Sequence, residues 1–160
     1  MLGVAVFLAM IAMWIWVFAN RGSIKHPDEF ADTAWIASAE TVCAERQATI
    51  ATFANPATVD TAEERARLLN AGTRELEAMV TDVAALGLPT DAKGAELVPQ
   101  WLDDYELYLQ DRRNWSAILE TGDDPPFLIS GNDEGVRVTD LLSTFAEVNN
   151  MASCAPSGDA

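Results

Sequence analysis

The chain has 160 residues, of which 25 are acidic and 10 are basic, so its formal net charge is -15. This length provides for one hydrophobic core and excludes a catalytic domain joined to a separate substrate domain. The acidic residues are spread along the chain, which excludes nucleic-acid binding because phosphates require clustered Lys and Arg.

The first element is an uncharged apolar segment, residues 2–19, with the sequence LGVAVFLAMIAMWIWVFA. As a helix it would be about 27 Å long, close to the roughly 30 Å of a bilayer's hydrocarbon core. Trp14 and Trp16 lie near its C-terminal end, where indole rings favour the membrane interface. Residues 1–19 are therefore expected to form a transmembrane anchor in contact with lipid. A signal peptide cleaved before Asn20 and a buried core helix are the alternatives.

Two features of the sequence give opposite predictions for the side of the membrane on which the domain lies. Arg21 and Lys25 follow the apolar segment, and basic residues favour the cytoplasmic side. Cys43 and Cys154 are the only two cysteines and bracket most of the domain, as a structural disulfide would, although two unrelated thiols are the alternative. Because long domains translocate with little regard to flanking charge, we expect an extracytoplasmic domain.

A polar tether, residues 20–27, leads to a domain over residues 28–154, and residues 155–160 are expected to form a flexible tail. Apolar residues at spacings of three, four and seven predict four helices, over about 28–54, 61–86, 91–120 and 139–150, with Ala95 as an alternative start of the third. Thr61 is the predicted cap of the second helix, and Thr139 or Asp140 that of the last. Pro27 and Asp28 are expected at the entry to the first helix.

The helical pattern fails between the third and fourth helices. Residues 127–138, FLISGNDEGVRV, predict two short strands around a Gly-rich turn. The fold class expected is therefore mainly α, an N-terminal transmembrane helix followed by an antiparallel four-helix bundle with a small β-hairpin before the last helix.

Residues that could carry chemistry are few. The only histidine is His26, in the tether, so neither a Ser/His/Asp nor a Cys/His arrangement can form in the domain. Asp103, Asp104, Glu106 and Asp111 on the third helix lack the histidines of a two-metal carboxylate site and are expected to form a solvated acidic face. We expect no enzyme, no cofactor and no metal.

The third helix also carries an aromatic stripe that is a candidate partner surface, because Trp and Tyr are favoured at interfaces and two arginines adjoin them. The candidate residues are Trp101, Tyr105, Tyr108, Arg112, Arg113 and Trp115. Burial of the stripe in the bundle core is the alternative.

Three short patterns carry a resemblance to known proteins: Ala39-Glu40-x-x-Cys43, Trp101-Leu102 with Asp111-Arg112-Arg113, and the closing run from Phe145 to Cys154. With them, most of the domain resembles a family of actinobacterial single-pass membrane proteins whose members carry no assigned activity. The resemblance implies an extracytoplasmic domain on one anchor, with Cys43 and Cys154 paired. Accessory subunits of actinobacterial respiratory supercomplexes are similar to it in layout.

These patterns together favour a non-catalytic accessory or interaction protein, with a membrane protein or complex as its partner. A ligand-binding module of the cell envelope, using a pocket between the helices, is the alternative function.

Overall fold

The protein was analysed as a computed structural model, which describes residues 2–20 and 25–156. Within these residues the chain forms five α-helices and no strand, so the mainly helical fold is confirmed. The helices are α1 (Leu2–Asn20), α2 (Thr33–Ile50), α3 (Ala62–Ala85), α4 (Ala92–Leu119) and α5 (Val138–Val148), with two 3-10 turns at Pro56–Thr58 and Ala152–Cys154.

Helix α1 corresponds to the apolar N-terminal segment. Its described side chains are exposed, including those of Trp14 and Trp16, and among the described residues α1 contacts none of the other helices. In the described part of the chain, no helix combines the length and the apolar character required to cross a membrane, so the predicted transmembrane span is not supported there.

Helices α2 to α5 form an antiparallel bundle in which α3 packs against both α2 and α4, and α5 packs against α4. Contacts that join the start of one helix to the end of its neighbour, such as Trp35 with Gly87, Arg65 with Asp124 and Trp101 with Phe145, show that consecutive helices run in opposite directions. We call the end where α2 and α4 begin and where α3 and α5 finish the base, and the other end the top. The core lies between the four helices and is filled by buried aliphatic and aromatic residues, among them Leu76, Met79, Tyr105 and Leu142.

The helix boundaries follow the side chains that can cap them. Asp32, Thr61 and Asp91 each accept a hydrogen bond from a backbone N–H of the first turn of α2, α3 and α4, respectively. Such caps satisfy amide groups that have no partner inside the helix. The predicted cap of Thr61 is confirmed.

Two predicted helix starts are wrong. Helix α5 begins at Val138 after Arg137, with no side-chain cap from Thr139 or Asp140. Pro27 and Asp28 lie in a turn closed by the Glu29 amide donating to the His26 carbonyl, and not at a helix entry, because Asp32 caps α2 further along the chain.

The predicted β-hairpin is also wrong. A single antiparallel bridge joins Gly131 to Arg137, and no strand extends from it within the described residues. Phe127 and Ile129 pack against the helical core instead of pairing with the segment that follows the turn. The path of the segment is therefore determined by burial of these two side chains and not by a ladder of backbone hydrogen bonds.

The C-terminal segment returns to α2, where a disulfide joins Cys43 to Cys154 across a sequence separation of 111 residues. The predicted pairing is therefore confirmed, and both cysteines are fully buried. Of the predicted flexible tail, Ala155 and Pro156 are half-buried and the Ala155 carbonyl accepts from the Gln47 amide, whereas residues 157–160 lie outside the described residues. Residues 21–24 of the predicted tether also lie outside them.

Candidate functional site

Five of the six residues predicted as a partner surface are buried in the bundle: Trp101, Tyr105, Tyr108, Arg112 and Trp115. The predicted partner surface is corrected accordingly, because a side chain enclosed by its own domain cannot contact a partner. The stripe spaces its residues by three, four or seven positions, which places them on the face of α4 that meets the other helices.

The part of the stripe nearest the base of the bundle forms an aromatic cluster. Trp101 stacks on Phe145 of α5 with ring centroids 5.3 Å apart, and Tyr105 lies edge-on to Trp101 at 5.0 Å. The Tyr105 hydroxyl donates to the Cys154 carbonyl, so it also holds the C-terminal turn. Burial raises the pKa of Tyr105 far above its ordinary value of 10.0, so this hydroxyl remains neutral in the folded protein.

The two arginines of the stripe have separate environments. The fully buried Arg112 guanidinium donates to the Thr73 hydroxyl and to the Tyr108 hydroxyl, both at 3.0 Å. Arg113 is half-exposed and forms ion pairs with Glu77 and Glu106. Arg112 therefore belongs to the core, whereas Arg113 belongs to a network of charges on the surface.

Two clefts lie at the top of the bundle, next to Pro125 and Pro126. Clefts of about 550 and 340 Å³ adjoin here and have four lining residues in common: Trp115, Pro125, Pro126 and Ile129. We call the two clefts together the double-proline surface. The larger opens towards α3 and the first 3-10 turn, and the smaller runs along α4 past Asn114 and Ile118.

Trp115 builds this surface from below. Its indole N–H donates to the Pro125 carbonyl at 2.9 Å, and its ring stacks on Phe127 with centroids 5.0 Å apart. Only 8% of Trp115 is exposed, so it forms the floor of the clefts and holds the proline segment to α4. Of the predicted partner residues, Trp115 alone lines the site.

Two charged residues fix the edges of the surface. Arg65 of α3 donates to the Pro56 carbonyl and to both carboxylate oxygens of Asp124. On the other side, the Asp111 carboxylate accepts from the Ser130 amide at 2.7 Å and from its hydroxyl at 2.8 Å. The segment between Asp124 and Ser130 is thus tied to α3 and α4 at both ends, which gives the clefts a preformed shape.

Leu128 stands out from this segment and is 80% exposed. Its neighbours Phe127 and Ile129 pack towards the core. Successive side chains of an extended segment point to opposite sides, so of three consecutive apolar residues the middle one must face solvent. The run Phe127-Leu128-Ile129 is therefore the signal by which the sequence could have indicated this exposed residue.

The charge around the double-proline surface is acidic. Glu120, Asp123 and Asp124 lie in the exposed turn that leads into it, and Asp133 and Glu134 follow it. Among the described residues, several arginines form ion pairs with carboxylates: Arg46, Arg65, Arg67, Arg113 and Arg137. Apart from Arg65, which is paired with Asp124, no basic residue is among the described lining residues of the two clefts, so their surroundings are mainly acidic.

The clefts offer little for acid/base or metal chemistry. The ionisable residues that line them are Arg65, Asp111 and Asp124, and all three are engaged in the hydrogen bonds described above. Burial, and to a smaller degree Asp103, raises the pKa of Asp104, but that carboxyl lies elsewhere on α4. Among the described residues, no group of three or more His, Cys, Asp or Glu side chains is arranged to hold a metal ion.

Comparison with protein-family models, curated proteins and solved structures finds no match to this chain. The resemblance to actinobacterial membrane proteins stays a prediction.

Proposed function

We propose that this protein is a non-catalytic accessory protein, attached to a membrane by its N-terminal helix, that binds a partner through the double-proline surface. The observation that carries the proposal is Leu128, which is 80% exposed beside two preformed clefts. Leu128 lines the smaller cleft together with Ile118, which is 43% exposed, and with Pro125 and Pro126, and a contiguous exposed apolar patch of this kind is typical of an interaction surface.

Attachment to a membrane is supported by the sequence and exposure of α1. The segment from Leu2 to Ala19 contains no charged residue, counted over its full sequence. Large apolar side chains of its described part, such as Ile15 and Phe18, are more than half exposed. Water solvates such a helix poorly, whereas lipid accommodates it.

Placement on the extracytoplasmic side is supported by the buried disulfide, since structural disulfides persist in oxidising compartments. Thiol labelling of intact cells, with and without reductant, tests this placement. We expect Cys43 and Cys154 to react only after reduction and denaturation, and free thiols at both positions would overturn it.

The partner proposed is a segment of another membrane protein with apolar residues flanked by Lys or Arg. Apolar side chains fit the clefts, which are lined by Trp115, Pro126 and Ile129. The surrounding carboxylates favour a basic segment and repel an acidic one. By the resemblance described above, the partner would be a subunit of a larger complex such as a respiratory supercomplex.

Site-specific photocrosslinking in native membranes tests this proposal. A photoreactive amino acid replaces Leu128, and a matched variant carries it at Leu107, which is 40% exposed on α4 but lies outside both clefts. We expect a discrete crosslinked product from position 128 and none from position 107. Mass spectrometry should map the crosslink to an apolar segment flanked by Lys or Arg.

Introducing a charge at Leu128 provides an independent test. Leu128→Asp should lower the recovery of this crosslinked partner in mild detergent at least tenfold, whereas Leu107→Asp should leave recovery unchanged. Raising the salt concentration should also lower recovery, because exposed charges are screened. Equal crosslinking from both positions, or a mapped segment that is acidic, would overturn the proposal.

A second candidate function is binding of a small envelope molecule in the larger cleft. Its volume of about 550 Å³ falls in the usual range for small-molecule sites, and it is lined by an arginine as well as by apolar residues. Thermal-shift measurements of the full chain with envelope metabolites test this candidate. A shift abolished by Trp115→Ala but retained in Leu107→Asp would favour it over the protein partner.

A further inference from the structure

The loop between α3 and α4, residues 86–90, exposes two leucines at the base of the bundle. Leu86 is 38% exposed and Leu88 is 60% exposed. Pro89 in the same loop is buried, and Gly87 adopts a positive φ of 76°, which turns the chain between the leucines. We call residues 86–90 the base loop.

Hydrogen bonds clamp the base loop to the start of α2. The Trp35 indole N–H donates to the Gly87 carbonyl at 2.8 Å. The Asp32 carboxylate accepts from the Thr90 amide at 2.7 Å and from the Thr90 hydroxyl at 2.6 Å. The loop is therefore held beside the residues through which the chain enters the domain.

The same entry segment is itself fixed to the domain. The buried Asn149 side chain accepts from the Phe30 amide at 3.1 Å and donates to the Asp28 carbonyl at 3.0 Å. Phe30 is buried against Trp35 and Phe145, with ring centroids 5.8 and 6.0 Å away. Because Asp28 and Phe30 are fixed to the domain in this way, only the residues before Asp28 can separate the domain from α1.

The remaining chain is short. Helix α1 ends at Asn20 and the described entry segment begins at Lys25. Even fully extended, this stretch spans at most about 18 Å. If α1 lies in a membrane, this short stretch keeps the start of the domain, and with it the base of the bundle, close to the membrane surface.

We propose that the base loop is a second membrane contact, in which Leu86 and Leu88 enter the interfacial region of the lipid. This inference rests on the proposed membrane attachment of α1. At the base, Asp28, Glu29, Asp32 and Asp91 outnumber the exposed Lys25 and Lys93, which disfavours an anionic surface, so the lipid contacted has zwitterionic headgroups. Such a contact fixes the tilt of the domain and the direction in which its top presents the clefts.

The test uses the full chain reconstituted into phosphatidylcholine nanodiscs. Leu88→Cys is labelled with an environment-sensitive fluorophore, and Leu128→Cys, also strongly exposed but at the top, is the matched control. The native cysteines are bonded and buried, so non-reducing conditions direct the label to the new thiol. Circular dichroism of each labelled variant verifies that the helical fold is retained.

We expect a blue-shifted emission at position 88 and at least twofold quenching by nitroxide-labelled lipid, with neither effect at position 128. Adding 30% phosphatidylserine should reduce the quenching at position 88. If the protein co-purifies with the nanodiscs but position 88 emits as in water, the base-loop contact is overturned and the attachment by α1 stands. If the protein does not associate with nanodiscs, both proposals are overturned.

Discussion

Removing the disulfide between Cys43 and Cys154 should lower the stability of the bundle more than any single side-chain truncation. The bond joins α2 to the C-terminal 3-10 turn and closes a loop with a sequence separation of 111 residues. By the chain-entropy relation, a loop of this size contributes about 5 kcal/mol. Since the free energy of unfolding of a domain is typically about 5–15 kcal/mol, the loss would be a third or more of the total.

The assay is guanidinium unfolding of the full chain in mild detergent, followed by near-ultraviolet circular dichroism. The buried rings of Trp101, Tyr105 and Trp115 provide a signal that depends on intact packing. The double variant Cys43→Ala/Cys154→Ala should lose about 5 kcal/mol of unfolding free energy. Its denaturant dependence should also become steeper, because an unfolded chain without the cross-link exposes more surface.

Reduced wild-type protein is the matched control, because it loses the cross-link but retains both sulfur atoms. If it falls nearly as far as the double variant, the cross-link dominates, and the remaining difference measures the packing of the two buried sulfurs. A loss below about 1 kcal/mol in both proteins would refute the reasoning from loop closure.

Three further predictions concern the packing and titration of the bundle. Hydrogen bonds from the Thr90 hydroxyl and amide lower the pKa of Asp32 from 3.8 to about 2, so its stabilising effect is complete above about pH 4 and is lost as the pH falls through 2. In acid titrations followed by circular dichroism, Asp32→Asn should therefore lose less stability than wild type between pH 4 and 2, and equal losses would contradict this. Arg112→Ala should lower the free energy of unfolding by about 3 kcal/mol because it empties a fully buried site, and Arg112→Met, which refills most of the volume, should recover at least half; equal losses would show that the hydrogen bonds dominate. Gly94→Ala should destabilise by about 1–2 kcal/mol in thermal unfolding although alanine favours helices, because its Cβ would lie 2.7 Å from the Phe30 ring; an unchanged melting temperature would contradict this.

The helical content of the domain could be predicted because the apolar spacing and the turn residues point to the same answer. Of the two predicted starts of the third helix, Asp91 is within one residue of the observed start because it provides an oxygen cap, whereas Ala95 is wrong; the predicted end is also within one residue, and Gly122 follows it. The start of α5 could not be predicted, because no side chain caps it. The first helix was predicted too long at both ends, since Phe30 is buried from an irregular segment that resembles a helical turn in its spacing.

The candidate site was predicted least well. The aromatic stripe on α4 was a reasonable interface by composition, but Trp and Tyr rings also form cores, and spacing alone does not say whether another helix covers them. Helices α3 and α5 do cover the stripe, and only Trp115 extends to a cleft. The residues that surround it, Pro56, Arg65 and Pro125, come from two separate connections and from α3, so no local pattern could group them.

By itself, the sequence determined that this chain is mainly helical, acidic and joined to an uncharged apolar N-terminal segment, because these properties follow from local spacing and composition. It also made the pairing of Cys43 and Cys154 a specific expectation. Only the tertiary structure decided that the aromatic stripe is core, that residues 127–130 are not a strand, and that Leu128 is exposed. The physical reason is that burial depends on which elements meet in space, and the double-proline surface exists only where α3, α4 and two connections come together.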